Sequence, residues 1–269
     1  VQVSDPCGLV VTSPIVISVY NDLSTPLIQG EQSICYNTSP NLISLTSVFG
    51  GAENYSYQWF QDGAPISGAT NSIYQAPQLT SSASYTLQVS DLCAVTLSTP
   101  ITVTVFEDFS IETLIGDQDI CYNTSMSQLT APIVSGGTEN YFYQWYQDGV
   151  VMPGEESSSL QISALTESHD YFVEASDYCD AIISNTIHVN VYFDLTSGSI
   201  ASPQTICYNT VPASLSFSQL PFGGEGAHTY LWQSFTDDSW SDISSATSTT
   251  YSPSSLTDDI QYRVQISDL

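Results

Sequence analysis

A pentapeptide, Ile-Cys-Tyr-Asn-Thr, occurs three times in this chain of 269 residues at one fixed spacing of 86 residues. Its copies occupy residues 34–38, 120–124 and 206–210. A second motif, with Gly-Gly at its start and Trp near its middle, keeps the same period at residues 50–63, 136–149 and, more loosely, 223–233. A strict period of this length is typical of a tandem array of small domains. Function must therefore be sought in what an array does.

A closing motif that ends in Ser-Asp-x-Cys completes each period. It reads YTLQVSDLC at 85–93, YFVEASDYC at 171–179, YRVQISDL at 262–269 and VQVSDPC at 1–7. We therefore divide the chain into residues 1–21, the C-terminal strands of a preceding truncated repeat, two whole repeats at 22–107 and 108–193, and residues 194–269, a repeat truncated before its last strand. We expect the chain to be a window from a much longer polypeptide.

Each repeat places one cysteine in its opening motif and one in its closing motif. The six are Cys7, Cys35, Cys93, Cys121, Cys179 and Cys207. This regular spacing, without any CxxC pair, predicts a disulfide framework and an extracellular location at the cell surface. In a seven-strand sandwich the first strand is expected to start where the last two strands turn, which predicts bonds Cys35–Cys93 and Cys121–Cys179. Cys7 and Cys207 are then expected to have partners outside the window.

The charge balance excludes two classes of partner. The chain has 28 acidic residues and one basic residue, Arg263, so its net charge is −27. Nucleic acid and anionic membrane surfaces are repelled by such a charge. No apolar run approaches the roughly 20 residues needed to cross a bilayer, so we expect no direct membrane insertion. The partners that remain are neighbouring repeats of the same chain, surface glycans and a solid substratum.

Strand signals dominate every repeat. Residues 14–20, 100–106 and 186–192 alternate β-branched residues with others, which is the period of a half-buried strand. No segment shows a sustained helical period with caps. We predict an all-β fold, a tandem array of immunoglobulin-like antiparallel β-sandwiches with one disulfide per repeat. Trp59, Trp145 and Trp232 are the predicted core anchors, because each shares a strand face with the aromatic residues two positions away.

The combined pattern of Cys, Gly-Gly, Tyr-x-Trp and Tyr-x-Val-x-x-Ser-Asp-x-Cys resembles the immunoglobulin-like repeats of giant Bacteroidota surface proteins. These include SprB-type gliding adhesins and other type IX-secreted adhesins. The resemblance implies display on a cell-surface filament, either attached to the outer membrane or secreted, and for gliding adhesins a role in gripping a substratum. It supplies no catalytic residue. Antibody domains carry a cysteine in the core of the penultimate strand, where this chain has Leu87, Val173 and Val264.

No recurring constellation indicates catalysis, so we predict that the chain is not an enzyme and needs no cofactor. Acidic pairs such as Glu107–Asp108 keep no paired partner in the other repeats, and the three histidines share no repeat position. One acidic position does recur just after the last strand, as Asp22, Asp108 and Asp194. Two interpretations of it stay open. It is either a turn-forming aspartate or a ligand of Ca²⁺, which requires six to eight oxygen ligands.

Two hypotheses for function follow. The first is a non-catalytic segment of a long cell-surface adhesin filament, which acts as an extended stalk and adhesive surface in gliding or attachment. The alternative is a carbohydrate-binding array attached to a secreted polysaccharide-degrading enzyme. Phe60, Tyr146 and Trp240 are the candidate sugar-stacking residues for that alternative. Phe60 and Tyr146 project from the strand face opposite Trp59 and Trp145, and Trp240 lies on a four-residue insertion in the third repeat.

Overall fold

The computed structural model describes residues 1–268, and within them all regular secondary structure is β-strand. The predicted all-β fold is therefore confirmed. Leu269, the last residue of the third closing motif, lies outside the described residues. The chain begins with an antiparallel hairpin of β1 (Gln2–Asp5) and β2 (Gly8–Val11). Over residues 1–268, no helix has the length and apolar character that crossing a membrane requires.

The first whole repeat contains nine short strands. They are β3 (Leu27–Gln29), β4 (Gln32–Ile34), β5 (Ile43–Ser47), β6 (Ser56–Gln61), β7 (Ala64–Pro65), β8 (Ile73–Tyr74), β9 (Ala83–Ser90), β10 (Val95–Leu97) and β11 (Ile101–Val105). One sheet has the order β3-β5-β8, and the other has the order β4-β11-β9-β6-β7, with β10 pairing the far end of β9. The first strand is thus divided between two sheets, and β4 runs parallel to the last strand β11. This is an immunoglobulin-like sandwich.

The second whole repeat has the same plan. Its strands are β12 (Glu107–Ile111), β13 (Gln118–Ile120), β14 (Leu129–Thr130), β15 (Val134–Gly137), β16 (Phe142–Gln147), β17 (Val150–Val151), β18 (Ser159–Leu160), β19 (His169–Ser176), β20 (Ala181–Ile183) and β21 (Ile187–Val191). The larger sheet has the order β13-β21-β19-β16-β17, with β20 on β19, and β14 pairs with β18. β13 runs parallel to β21, as β4 does to β11.

The third repeat is described as far as the strand that carries the closing motif. Its strands are β22 (Phe193–Thr196), β23 (Ser199–Ile200), β24 (Leu215–Gln219), β25 (Phe222–Gly224), β26 (Thr229–Thr236), β27 (Ser239–Asp242), β28 (Thr250–Tyr251) and β29 (Gln261–Ser267). They form the sheets β23-β24-β28 and β27-β26-β29, and the pair β22-β25.

The three predicted core tryptophans lie inside the sandwiches. Trp59, Trp145 and Trp232 are each 0% exposed, and each indole N–H donates to a backbone carbonyl at 2.9 Å. Their cross-strand partners are Leu87, Val173 and Val264. An apolar pair therefore fills the position that a core disulfide occupies in antibody domains. The alternating burial along β9 and β19 places every second side chain in the same core.

By density of contacts the chain forms two compact units, which do not coincide with the sequence repeats. The first comprises Val1–Phe109 together with Ser135–Asn140 and Asp177–Asp180. The second comprises Ser110–Val134, Tyr141–Ser176 and Ala181–Leu269. Two loops of the second repeat, namely its Gly-Gly turn and its closing turn, thus belong to the first unit.

Candidate functional site at the cysteine-bearing turns

The recurring pentapeptide forms a tight turn, which we call the opening turn, at residues 35–38, 121–124 and 207–210. In each copy the threonine hydroxyl donates to the cysteine carbonyl at 2.6 Å. In each copy the asparagine has a φ of 56°. Asparagine tolerates this left-handed conformation better than most residues. Backbone hydrogen bonds in both directions then tie the turn to a leucine, which is Leu79, Leu165 or Leu256. The motif therefore fixes the backbone that carries the opening cysteine.

The second cysteine of each repeat lies in the closing turn, residues 91–94 and 177–180, where an aspartate organises the backbone. Oδ1 of Asp177 accepts hydrogen bonds from the N–H groups of Cys179 at 2.7 Å and Asp180 at 2.8 Å. Oδ1 of Asp91 accepts the equivalent bonds at 2.8 and 2.7 Å. The aspartate of the Ser-Asp-x-Cys motif is thus the residue that shapes the cysteine turn.

The same aspartate also holds the Gly-Gly turn. Its other oxygen, Oδ2, accepts the N–H of Ala52, Thr138 or Glu225 at 2.5 to 2.6 Å, one in each repeat. A Cβ on the second glycine of the pair would collide with this carboxylate, and a Cβ on the first glycine would collide with the carbonyl of Asp22, Asp108 or Asp194. Both glycines are therefore required by close approach as well as by their positive φ.

These hydrogen bonds lower the pKa of two closing-turn aspartates. For Asp91 the largest cause is the N–H of Ala52, followed by those of Cys93 and Ala94. For Asp177 burial raises the pKa, but the N–H groups of Thr138, Asp180 and Cys179 outweigh it, and the net shift is downward. The ionised carboxylate is therefore the form that holds the closing turn.

The two cysteine-bearing turns lie at opposite ends of a repeat. Ile34, just before Cys35, pairs with Val105 at the end of the last strand. The N–H of Phe106 donates to the carbonyl of Ile34 at 3.0 Å. The closing turn lies at the other end, where Ser90 pairs with Val95. The intervening length of β9 alone is about 23 Å at the usual rise per residue. We call the end with the closing turn proximal and the end with the opening turn distal.

The disulfide therefore differs from the predicted one. Cys35 is bonded to Cys179, with 5.5 Å between the two Cα atoms, and Cys93 and Cys121 are free. The predicted pairings Cys35–Cys93 and Cys121–Cys179 are wrong, and so is the expectation of one disulfide within each repeat. The prediction placed Cys35 at the start of the first strand, whereas it follows β4, which runs parallel to the last strand. The distance between opposite ends of one sandwich far exceeds the ~7 Å between Cα atoms that a disulfide can span.

The remaining predicted site residues are placed as follows. The backbone carbonyls of Asp22, Asp108 and Asp194 face the first glycine of each Gly-Gly pair, a contact that the main chain makes and that does not require the aspartate side chain. Within residues 1–268, no three side chains of Asp, Glu, His or Cys form a group that could hold a metal ion. Calcium binding at this position stays a prediction. Cys7 and Cys207 are free and exposed, and that their partners lie outside the chain stays a prediction.

The candidate sugar-stacking rings are all half buried, and two of them are engaged by neighbours. Tyr146 stacks on Phe172 with 4.7 Å between ring centroids, and its hydroxyl donates to Glu174 at 3.0 Å. Trp240 lies under Arg263, whose Cζ is 4.3 Å from the ring centroid. Phe60 lines a shallow surface depression with Thr86 and Gln88.

Sequence reasoning did not identify the closing-turn aspartates as organising residues. These aspartates recur within the Ser-Asp-x-Cys motif, but the motif alone does not show what they contact. The signal was the coupled recurrence of Gly-Gly and Ser-Asp-x-Cys, because a glycine pair and an aspartate that touch each other must recur together.

The chain is similar to one protein family and to solved structures. The family model of a domain of unknown function, DUF8696, matches residues 25–107 and 196–268. No curated protein matches the chain. A chimeric titin Z1Z2-Z1Z2 tandem functionalised with a fibronectin GRGDS peptide is 16% identical over 62% of this chain and 98% of its own, with a TM-score of 0.28. Sidekick-1 immunoglobulin domains 1–4 are 12% identical over 87% of this chain and 66% of their own, with a TM-score of 0.36. Likenesses this distant carry no argument about function.

Proposed function

We propose that this chain, which belongs to the family of the domain of unknown function DUF8696, is a non-catalytic repeat segment of a long adhesin filament on the cell surface. It acts there as a stalk with an adhesive surface, in attachment or gliding. Its partners are neighbouring repeats along the same chain and the glycans or substratum that the filament meets. The disulfide bonds belong to an oxidising, extracellular environment.

The observation that carries this proposal is the bond between Cys35 and Cys179, because it joins two successive repeats. A stalk must resist bending and pulling at its joints, where only a short linker connects one sandwich to the next. Within the first unit, the covalent bond links the distal end of one sandwich to the proximal closing turn of the next. A ligand-binding domain that acts alone has no need of such a bond.

Two further features support a stiff joint. The last strand of the first whole repeat, β11, ends at Val105, and β12 begins at Glu107, so one residue separates them. The next pair, β21 and β22, is also separated by one residue, Tyr192. Links this short leave little chain to act as a flexible hinge. The large negative charge on every repeat disfavours folding back of one repeat on another at low salt.

Small-angle scattering of the oxidised chain tests the proposal. We expect an elongated particle in the presence of a calcium chelator, and no binding to immobilised polysaccharides strong enough to resist dilution. The reduced chain and a Cys35→Ser variant are the matched controls, and both should show a more variable shape than the oxidised chain. A compact particle, or hydrolysis of any polysaccharide by the purified chain, would contradict the stalk and favour the enzyme-associated array.

A further inference from the structure

Four cysteines are exposed and free in the structure: Cys7, Cys93, Cys121 and Cys207. Each of them occupies the repeat position of a cysteine that is bonded. Cys121 and Cys207 correspond to Cys35 in the opening turn, and Cys7 and Cys93 correspond to Cys179 in the closing turn. The turns that carry them have the same hydrogen bonds as the turns around the bonded pair. For example, Asp5 accepts the N–H groups of Cys7 and Gly8, as Asp177 does for Cys179 and Asp180.

Within the second unit, the surroundings of Cys121 reproduce those of Cys35. The N–H of Tyr192 donates to Ile120 at 3.0 Å, just as Phe106 donates to Ile34. The Gly-Gly turn of the third repeat is held by Asp268, through the N–H of Glu225 at 2.6 Å. Burial raises the pKa of Tyr192, and the charges of Asp119, Glu225 and Asp268, together with Cys121, raise it further. The opening turn of the second repeat and the closing motif of the third thus flank one tyrosine.

Asp268 occupies the position of the aspartate that organises the closing turn in the other repeats. Among residues 1–268, its Oδ1 is buried and accepts no hydrogen bond. In the two complete closing turns this same atom accepts the N–H groups of the cysteine and of the residue after it. By the spacing of the Ser-Asp-x-Cys motif, a cysteine appended directly after Leu269 would take the position of Cys179.

We propose that the bond between Cys35 and Cys179 is one rung of a staggered disulfide ladder. In this ladder the opening cysteine of each repeat bonds the closing cysteine of the repeat that follows it. Cys121 and Cys207 each bond the closing turn of the next repeat, and Cys93 and Cys7 each bond the opening turn of the repeat before. The partner of every free cysteine is thus a further repeat of the same sequence type. The ladder rests on the proposed stalk only for its purpose, and its chemistry can be tested separately.

Each rung forms by thiol–disulfide exchange. A thiolate of one turn attacks a small-molecule disulfide or the disulfide of a thiol oxidase and forms a mixed disulfide. The thiolate of the facing turn then displaces the oxidant's second thiolate. Two protein thiols are oxidised to one disulfide, the oxidant's disulfide is reduced to two thiols, and the two protein protons pass to those thiols.

The ladder changes how tension passes along the array. The rung from Cys35 to Cys179 spans 144 residues. Tension that reaches Cys35 crosses directly to Cys179, so the intervening chain carries none of it. When successive rungs overlap, every sandwich in the interior of the array lies within a closed loop. The repeats can then unfold without lengthening the filament by their full contour.

A single added cysteine tests the ladder. We append a cysteine directly after Leu269, refold the chain with reduced and oxidised glutathione, and map its bonds by Asp-N digestion and mass spectrometry without reduction. We expect a new peptide that joins Cys121 to the added cysteine, beside the Cys35–Cys179 peptide. Free thiols should fall from five, the four of the present chain and the added one, to three.

The matched controls are the same chain with an appended serine and the appended-cysteine chain with Cys121→Ser. Both should keep the Cys35–Cys179 bond and lose the new one. A bond from the added cysteine to Cys207, within its own repeat, would overturn the ladder, as would a Cys35–Cys93 peptide in the unaltered chain. A ladder that forms in a chain that is compact in scattering, or that hydrolyses a polysaccharide, would contradict the stalk and leave the ladder standing.

Discussion

The opening turn around Cys121 and the closing turn around Cys179 belong to the same repeat, yet different interactions hold them. The opening turn depends on a threonine hydroxyl, a left-handed asparagine and backbone bonds to Leu165, with no ionised group among them. The closing turn depends on the carboxylate of Asp177, which binds the backbone of two separate loops. One turn is held by conformation and the other by charge. Their stabilities should therefore respond differently to substitution and to pH.

The largest difference concerns which cysteine of the first whole repeat is bonded. Under oxidising conditions, Cys35→Ser should lower the free energy of unfolding by about 5 kcal/mol, because the chain-entropy estimate grows with the 144 residues that the bond encloses. Cys93→Ser, in the closing turn of the same repeat, is the matched control and should have almost no effect. Guanidinium unfolding followed by tryptophan fluorescence measures both. Equal losses from the two variants would instead indicate a disulfide within the repeat, between Cys35 and Cys93.

The sandwich core keeps the two turns of a repeat apart, and Trp145 is its largest fully buried side chain. Trp145→Ala should cost its repeat about 3–5 kcal/mol, because it leaves a cavity and an unpaired carbonyl at Ser157. Tyr146→Ala, the next residue on the opposite face, is the control and should cost much less. Thermal melting followed by circular dichroism compares them. A similar loss from both would mean that the two faces of β16 are wrongly assigned.

The charge that holds the closing turn is tested by Asp177→Ala. The substitution removes the acceptor of three backbone N–H groups and should cost about 1–2 kcal/mol, since the carboxylate is partly exposed and solvent replaces some of its bonds. Asp108→Ala removes an equal charge from an exposed position and is the matched control. Reactivity of Cys179 toward a reductant should rise in the first variant only. If both variants become equally reducible, the closing turn does not depend on its aspartate.

Acid should weaken the closing turn and leave the opening turn unchanged. The pKa values of Asp91 and Asp177 are lowered by folding, so their stabilisation is fully present above the unfolded pKa, near pH 4, and is lost as the pH falls through the folded values. The melting temperature should therefore fall as the pH drops below about 4. Asp177→Asn should flatten this dependence. A variant whose melting temperature falls as steeply as that of the unaltered chain would assign the acid sensitivity to other carboxylates.

The sequence predicted the sandwiches but not the disulfide connectivity, for a physical reason. Alternation along residues 100–106 and the spacing of Trp59 and Trp145 report local periodicity, which a strand obeys regardless of its neighbours. The pairing of Cys35 depends instead on β4 leaving the first sheet and joining the last strand in parallel. That switch is a non-local event. Gly30, between β3 and β4, has a positive φ of 126°, but a glycine alone does not tell which strand β4 will join. The contact between the Gly-Gly turn and the closing aspartate, by contrast, is indicated in the sequence, because Gly-Gly and Ser-Asp-x-Cys recur together in both whole repeats.

The smallest predicted effect tests the opening turn. Asn123 has a φ of 56°, a conformation that costs most L-residues roughly 1–2 kcal/mol and costs glycine almost nothing. Asn123→Ala should therefore destabilise the second repeat by about 1 kcal/mol, and Asn123→Gly should leave its melting temperature nearly unchanged. Neither effect should vary between pH 3 and pH 7, because residues 121–124 include no carboxylate and no histidine. If glycine proves as harmful as alanine, the asparagine side chain and not its backbone conformation stabilises the turn, and the contrast with the charged closing turn would have to be redrawn in terms of side-chain bonds at both ends.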